Sequence, residues 1–139
     1  MRMFGLSLLA VLAAGSAGAF TAVNGVSAYP EAGDARFEVV SEVGSGPRQI
    51  WCAAAQYALV ALSAPPNTRI YLARAMAPSP RYQGRKSASF TIRPDAALQA
   101  GPRPGDGGNY SVSLKNTGYS LRLAHAETFC HPIIEFYPD

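Results

Sequence analysis

Histidine, cysteine and tryptophan are scarce in this sequence of 139 residues, which contains two histidines, two cysteines and one tryptophan. Charged residues make up 15% of the chain, against roughly 25% in a typical soluble domain. It contains no phosphate-binding loop, dinucleotide fingerprint, Gly-x-Ser-x-Gly or His-Glu-x-x-His motif. Histidine is the usual acid–base residue at neutral pH, so its scarcity also disfavours general acid–base catalysis. The sequence therefore assembles no recognised catalytic set, and a binding role is expected ahead of an enzymatic one.

Apolar residues are plentiful, at 48% of the chain, which is enough to build a core and excludes a wholly disordered protein. The length supports one domain and leaves no room for a second. Eleven prolines and thirteen glycines favour a loop-rich fold over a helical bundle. We therefore expect a single domain with short regular elements.

The first nineteen residues have the pattern of a secretory signal peptide. Arg2 precedes an apolar stretch over Phe4–Ala14, and small residues ending in Ala19 complete an Ala-x-Ala pattern, which predicts cleavage between Ala19 and Phe20. The alternative is an uncleaved anchor, but the strongly apolar stretch is well short of the ~20 residues that span a bilayer. The mature protein is therefore expected to be periplasmic or secreted and not membrane-spanning.

Cys52 and Cys130 are the only two cysteines, and both remain after signal removal. An even number of cysteines in an exported chain indicates a disulfide. Loop-closure entropy predicts that this bridge would contribute about 4.5 kcal/mol to stability. The alternative, a reactive or metal-binding thiol, is disfavoured because the chain has no Cys-x-x-Cys motif.

The spacing of apolar residues predicts one helix and several strands. The helix, over residues 48–62, is apolar on nearly every side, so it must be buried on more than one side. Strands are predicted over 36–42, 69–75, 86–92, 110–114, 119–123 and 133–137. Because Asn116-Thr-Gly118 is a turn signal, residues 110–126 are expected to form a hairpin.

These elements predict an α+β domain over residues 36–139, following the signal peptide (1–19) and an extended lead-in with little structure (20–35). Because the helix and the strands are segregated, we expect an antiparallel sheet of about five or six strands packed on one early helix, with one disulfide. The Pro- and Gly-rich residues 95–108 are expected to form a mobile loop. The architecture resembles cystatin-like folds, a likeness that carries no function.

A basic run extends from Arg69 to Arg103, with seven basic residues against a single acid, Asp95, whereas the rest of the mature chain is acidic. Such asymmetry can mark a surface for an anionic partner, and tyrosines lie among the arginines. The predicted binding residues are Arg69, Arg74, Arg81, Tyr82, Arg85, Lys86 and Arg93. Export excludes cytosolic nucleic acid, which leaves an anionic envelope polymer or another exported protein. The alternative is an ordinary solvated face.

A second cluster, with His125, Glu127 and His131, combines two imidazoles with a carboxylate. On a strand, His125 and Glu127 would share a face, and the three side chains could bind zinc or copper or serve a small hydrolytic enzyme. However, they match no fixed metal-ligand spacing, and ordinary surface histidines are the alternative. No other cofactor is expected.

Two blocks carry a resemblance: Phe37-Glu-Val-Val to Trp51-Cys-Ala-Ala-Ala-Gln-Tyr-Ala58, and Gly118-Tyr-Ser-Leu to Phe129-Cys130. They resemble small exported proteins of Gram-negative bacteria whose function is uncharacterised, and which share a signal peptide, a Trp-Cys pair at a helix and a late Phe-Cys pair. This resemblance implies a periplasmic or secreted setting and supplies no activity.

Overall fold

The structure is a computed structural model that describes residues 19–106 and 111–131. The predicted signal peptide, apart from Ala19, and the predicted strand over 133–137 lie outside the described residues. Within the described part of the chain, no helix is long and apolar enough to span a membrane.

Six strands form one fully antiparallel sheet in the order β1-β2-β3-β5-β4-β6. The strands are β1 (Phe20–Thr21), β2 (Ser27–Pro30), β3 (Arg36–Val40), β4 (Arg69–Pro78), β5 (Lys86–Thr91) and β6 (Ser120–Arg122). The helices are α1 (Pro47–Gln56), α2 (Ala96–Gln99) and α3 (Leu123–Glu127), and a 3₁₀ turn follows over Thr128–Cys130. The expected single α+β domain with an antiparallel sheet is therefore confirmed.

Helix α1 begins one residue before the predicted start, with Gly46 as N-cap and Pro47 in the first turn, where a missing N–H costs no hydrogen bond. The Gln49 side chain accepts the Gly46 N–H at 3.0 Å. The helix continues as a π-helical segment over Tyr57–Ala61 and ends before Pro65, near the predicted boundary.

The core lies between α1 and one face of the sheet. Phe37 of β3, Phe90 of β5 and Leu72 of β4 lie side by side on this face and are fully buried. Trp51 packs edge-on against Phe90, with 4.8 Å between ring centroids, and its indole N–H donates to the Ser113 carbonyl at 2.9 Å. The opposite face of the sheet is polar and includes the buried Glu38.

Helix α1 is buried on a second side by α3 and the 3₁₀ turn, as its nearly continuous apolar surface requires. A disulfide joins Cys52 of α1 to Cys130 in this turn, and both cysteines are buried. The predicted bridge is confirmed, and it ties the central helix to an element 78 residues further along the chain.

Two local predictions are corrected. The lead-in over 20–35 is not without structure, because it supplies β1 and β2, and Ala28 of β2 is fully buried against the core. The predicted hairpin is reduced to β6, because the described residues 111–114 form no strand and a helix begins at Leu123. Leu123 and Ala126 are both buried, and their spacing of three residues is helical.

The described part of the Gly/Pro-rich segment, residues 95–106, contacts the rest of the domain beside β6. Asp95 caps the short helix α2 by accepting the Leu98 N–H at 2.9 Å. Gly101 then passes so close to the backbone of Gly118 that a Cβ at Gly101 would lie 2.3 Å from the Gly118 carbonyl oxygen. The Ser120 N–H donates to the Pro102 carbonyl at 3.3 Å, which fixes the segment beside β6.

Candidate functional site

Most arginines of the basic run are paired with acids from distant parts of the sequence. Arg74 and Arg81 both contact Glu38, with N–O distances of 3.7 and 3.4 Å. Arg85 pairs with Glu42, and Arg93 pairs with Asp34 at 3.4 Å. The positive charge that is concentrated in the sequence is therefore largely neutralised at these positions of the fold.

Glu38 lies at the centre of a polar cluster on the sheet face that points away from α1. Its side chain is 1% exposed, and its Oε2 accepts hydroxyl hydrogens from Ser87 at 2.6 Å and Ser79 at 2.9 Å. The Arg74 guanidinium also donates to the Ser87 hydroxyl, at 2.7 Å. We call Glu38, Arg74, Ser79, Arg81 and Ser87 the Glu38 cluster. Its two arginines pair with a buried carboxylate, so much of their positive charge is already balanced within the protein.

Tyr82, one of the predicted binding residues, already contacts other side chains of the protein. Its ring lies 5.5 Å from the ring of Tyr29, and the Arg85 guanidinium lies 5.6 Å from the Tyr82 ring centroid. The Arg81 guanidinium lies 4.7 Å from the Tyr29 ring centroid. These contacts hold the β4–β5 connection over the polar sheet face.

Arg69 has a different environment, because its cross-strand neighbour is another arginine. It lies directly opposite Arg122 in the β4–β6 pairing, and opposite residues of an antiparallel pair leave the same face of the sheet. Like charges in this arrangement destabilise a sheet. An anion placed between the two guanidinium groups would relieve this repulsion.

The two arginines belong to a recess of about 290 Å³, which we call the arginine recess. It is lined by Arg69, Arg103, Pro104, Leu121, Arg122 and His125. These residues come from β4, β6, α3 and the Gly/Pro-rich segment. The close approach of Gly101 to Gly118 brings Arg103 to this place, since Gly101 precedes it by only two residues.

Three contacts hold the lining in position. The Arg69 Nη1 donates to the Ser120 hydroxyl at 3.1 Å, and the Arg122 Nη1 lies 3.5 Å from the Asn67 carbonyl that accepts its hydrogen. The backbone N–H of Arg103 donates to the Asp106 carboxylate at 2.7 Å. Each guanidinium thus keeps donor groups free for a ligand, because a guanidinium has five N–H donors.

The electrostatics of the arginine recess favour an anion. In the described parts of the chain, none of the guanidinium groups of Arg69, Arg103 and Arg122 forms an ion pair with a carboxylate. Burial lowers the pKa of Arg69, and the positive charges of Arg103 and Arg122 lower it further. A bound anion would relieve this repulsion and accept charge-assisted hydrogen bonds. The recess is therefore the candidate functional site.

No protein-family model, no curated protein and no solved structure matches this chain. The functional argument for the arginine recess therefore depends on its own geometry and charge.

The sequence identified this site only in part. Arg69 was among the predicted binding residues, and His125 was predicted as a metal ligand instead of a recess residue. Arg103 ends the basic run but is not among the predicted binding residues, and Arg122 lies outside the run. The pairing of Arg122 with Arg69 depends on a strand register that no local pattern reports.

The prediction for His125, Glu127 and His131 assumed that His125 and Glu127 share a face of a strand, and the structure does not have this strand. His125 and Glu127 lie on α3 and not on a strand, so they leave the element in nearly opposite directions. Over residues 19–106 and 111–131, no three His, Cys, Asp or Glu side chains are grouped so that they could hold a metal ion. We therefore carry the metal hypothesis no further.

Lys86, the remaining predicted binding residue, is exposed and lies away from the arginine recess. It lines a second concave surface, at the end of β5.

Proposed function

We propose that this protein is an exported binding protein that holds an anionic group of its ligand in the arginine recess. The observation that carries the proposal is the convergence of Arg69, Arg103 and Arg122, without a paired carboxylate in the described part of the chain. Stability alone does not favour three neighbouring like charges, whereas recognition of an anion requires them.

The chemistry of the recess indicates the class of group that it binds. Guanidinium groups offer planar pairs of N–H donors that match the oxygens of phosphate, sulfate or carboxylate. A volume of about 290 Å³ is small for a complete drug-sized ligand, so the recess would take one anionic group of a larger molecule. Pro104 supplies apolar surface beside the charges. An anionic envelope polymer or the acidic surface of another exported protein would present such a group.

Sulfate is expected to raise the melting temperature of the mature protein in a saturable way, compared with sodium chloride at equal ionic strength. A ligand that binds only the folded state stabilises it by about 2.7 kcal/mol at a hundred times its Kd. Phosphate and acetate, measured in parallel, would show whether the recess prefers a tetrahedral anion or a carboxylate. Differential scanning fluorimetry measures the shift in melting temperature, and calorimetric titration measures the affinity for each anion.

The double variant Arg103→Gln/Arg122→Gln tests the site, because both side chains are exposed and their loss should spare the core. We expect sulfate affinity to fall at least about tenfold, since each lost charge-assisted hydrogen bond weakens binding by about 1.5 kcal/mol or more. The matched control Arg85→Gln/Arg93→Gln removes two positive charges elsewhere and should leave the affinity within about twofold, since only screened, longer-range attraction is lost. Equal losses in both variants would show nonspecific attraction to net charge and would overturn the proposal.

Export is tested separately, by measuring the intact mass of the protein recovered outside the cytoplasm. We expect a chain that starts at Phe20 and whose two thiols react with an alkylating reagent only after reduction, as export to an oxidising compartment implies. A full-length mass with two reactive thiols would contradict export with signal cleavage.

A further inference from the structure

The second concave surface is a groove of about 530 Å³ at the end of the sheet where α1 begins. Its walls come from the β3–α1 connection, the adjoining ends of β4 and β5, and residues 111–116. None of its lining residues belongs to the arginine recess. We call it the lysine groove, because Lys86 and Lys115, the only two lysines in the whole sequence, both line it.

The lining of the lysine groove includes an apolar part. Pro47, Met76, Val112 and Leu114 contribute apolar atoms from three separate segments of the chain. Clefts of this volume with a mainly apolar lining and a few polar groups are typical small-molecule sites. The methionine adds a flexible and polarizable side chain that adapts to the shape of a bound apolar group.

The wall formed by residues 111–116 is fixed before any ligand binds. The Ser113 carbonyl accepts the indole N–H of the buried Trp51 at 2.9 Å, and the Leu114 carbonyl accepts the Met76 N–H at 2.9 Å. The Ser113 hydroxyl accepts the backbone N–H of Lys115 at 3.1 Å. A wall that is held to the core in this way needs little ordering when a ligand binds.

The charges that line the groove are of one sign. Lys86 and Lys115 are exposed, and over residues 19–106 and 111–131 no carboxylate pairs with them and no acidic residue lines the groove. An adjoining hollow of about 300 Å³ shares Pro47 and Val112 with the groove and adds a third cation, Arg48. The surface thus combines an apolar floor with a positive rim.

We propose that the lysine groove binds a small amphiphile, an alkyl chain that carries a carboxylate or phosphate head group. The alkyl chain lies along the apolar part of the lining, and the head group contacts Lys86 and Lys115. A bare inorganic anion would leave the apolar lining exposed to water, and a neutral alkyl compound would leave both lysines unpaired. This second site is independent of the function proposed for the arginine recess.

Octanoate and octyl phosphate are suitable probes, with octanol as the neutral comparison and acetate as the head group alone. Reductive methylation with ¹³C-formaldehyde keeps both lysines positively charged and labels them for NMR. We expect octanoate or octyl phosphate to shift the methyl signals of Lys86 and Lys115 together and to saturation. Octanol and acetate should bind at least about tenfold more weakly, since each lacks one of the two interactions.

Two variants test whether octanoate binds in the lysine groove. If one of them does not fold, the other still gives a result. Lys86→Gln/Lys115→Gln lacks the lysine signals, so its octanoate binding is followed through the backbone amide signals of Val112 and Leu114. It should bind octanoate about tenfold more weakly, if each exposed charge contributes about threefold. Met76→Glu, which places a carboxylate in the apolar part of the lining, should abolish binding while the near-UV circular dichroism of the folded protein persists. The matched control Arg103→Gln/Arg122→Gln should bind octanoate as the parent protein does.

The proposal would be overturned if octanol bound as tightly as octanoate, if octanoate binding were undiminished in the lysine double variant, or if no probe showed saturable binding. Loss of octanoate binding in Arg103→Gln/Arg122→Gln would also overturn it, because the amphiphile would then occupy the arginine recess. Sulfate binding at that recess is measured with a different probe, so either site can fail without the other.

Discussion

Replacement of Cys52 and Cys130 by alanine is expected to lower the melting temperature by more than about ten degrees. The bridge closes a loop of 78 residues in sequence separation, and loop-closure entropy assigns such a cross-link about 4.5 kcal/mol. This is a large fraction of the ~5–15 kcal/mol that stabilises a small domain. Both cysteines are buried, so the substitution adds no new exposed apolar surface. Thermal unfolding followed by circular dichroism, at equal protein concentration, measures the difference.

As a control, the melting temperatures of the parent protein and of the variant are measured with and without a reducing agent. Reduction should lower the melting temperature of the parent protein toward that of the variant and should leave the variant unchanged. A parent protein whose melting temperature does not respond to full reduction, verified by alkylation and mass, would contradict the stabilising role given to the bridge.

Glu38→Ala is expected to destabilise the protein by about 3 kcal/mol, because it removes the carboxylate shared by Arg74 and Arg81. It also leaves the hydroxyls of Ser79 and Ser87 without their acceptor. The estimate is at the low end of the range for a broken buried pair, because both arginines retain some contact with water. Urea denaturation gives the free energy of unfolding directly.

Glu42→Ala is the matched control, since Glu42 also pairs with an arginine of the basic run but is 46% exposed. An exposed ion pair contributes less than about 1 kcal/mol, so this variant should unfold close to the parent protein. Similar losses in both variants would mean that the Glu38 cluster is no more important than a surface ion pair. The assignment of Arg74 and Arg81 to the internal structure would then be wrong.

The regular elements of this fold follow from patterns that are local in sequence. The apolar helix α1, with Pro47 at its first turn, and the alternation in β3 and β5 each depend on neighbouring residues only. Short elements were less predictable: β6 has three residues, too few for alternation to define its end. The spacing of Leu123 and Ala126 becomes informative only once their burial against α1 is known.

The candidate site was less predictable because charge in a sequence does not report which charges meet. Glu38 is far from Arg74 and Arg81 along the chain. It pairs with Arg74 because β3 and β4 flank the same strand, and with Arg81 because the β4–β5 connection lies over this face of the sheet. Conversely, Arg122 joins Arg69 through strand register. The close contact of Gly101 with Gly118 then adds Arg103 from a segment expected to be mobile. Each of these contacts depends on the tertiary structure, which local sequence patterns do not report.

The central claim, that the arginine recess binds an anionic group, is tested most directly by NMR of the arginine side chains during a sulfate titration. With ¹⁵N-labelled mature protein, the Nε–Hε signals of Arg69, Arg103 and Arg122 should shift together and give a single dissociation constant. The signals of Arg85 and Arg93, which already pair with Glu42 and Asp34, should change little. Larger changes at Arg85 and Arg93 than at the three recess arginines, or no saturable change at any of them, would contradict the claim.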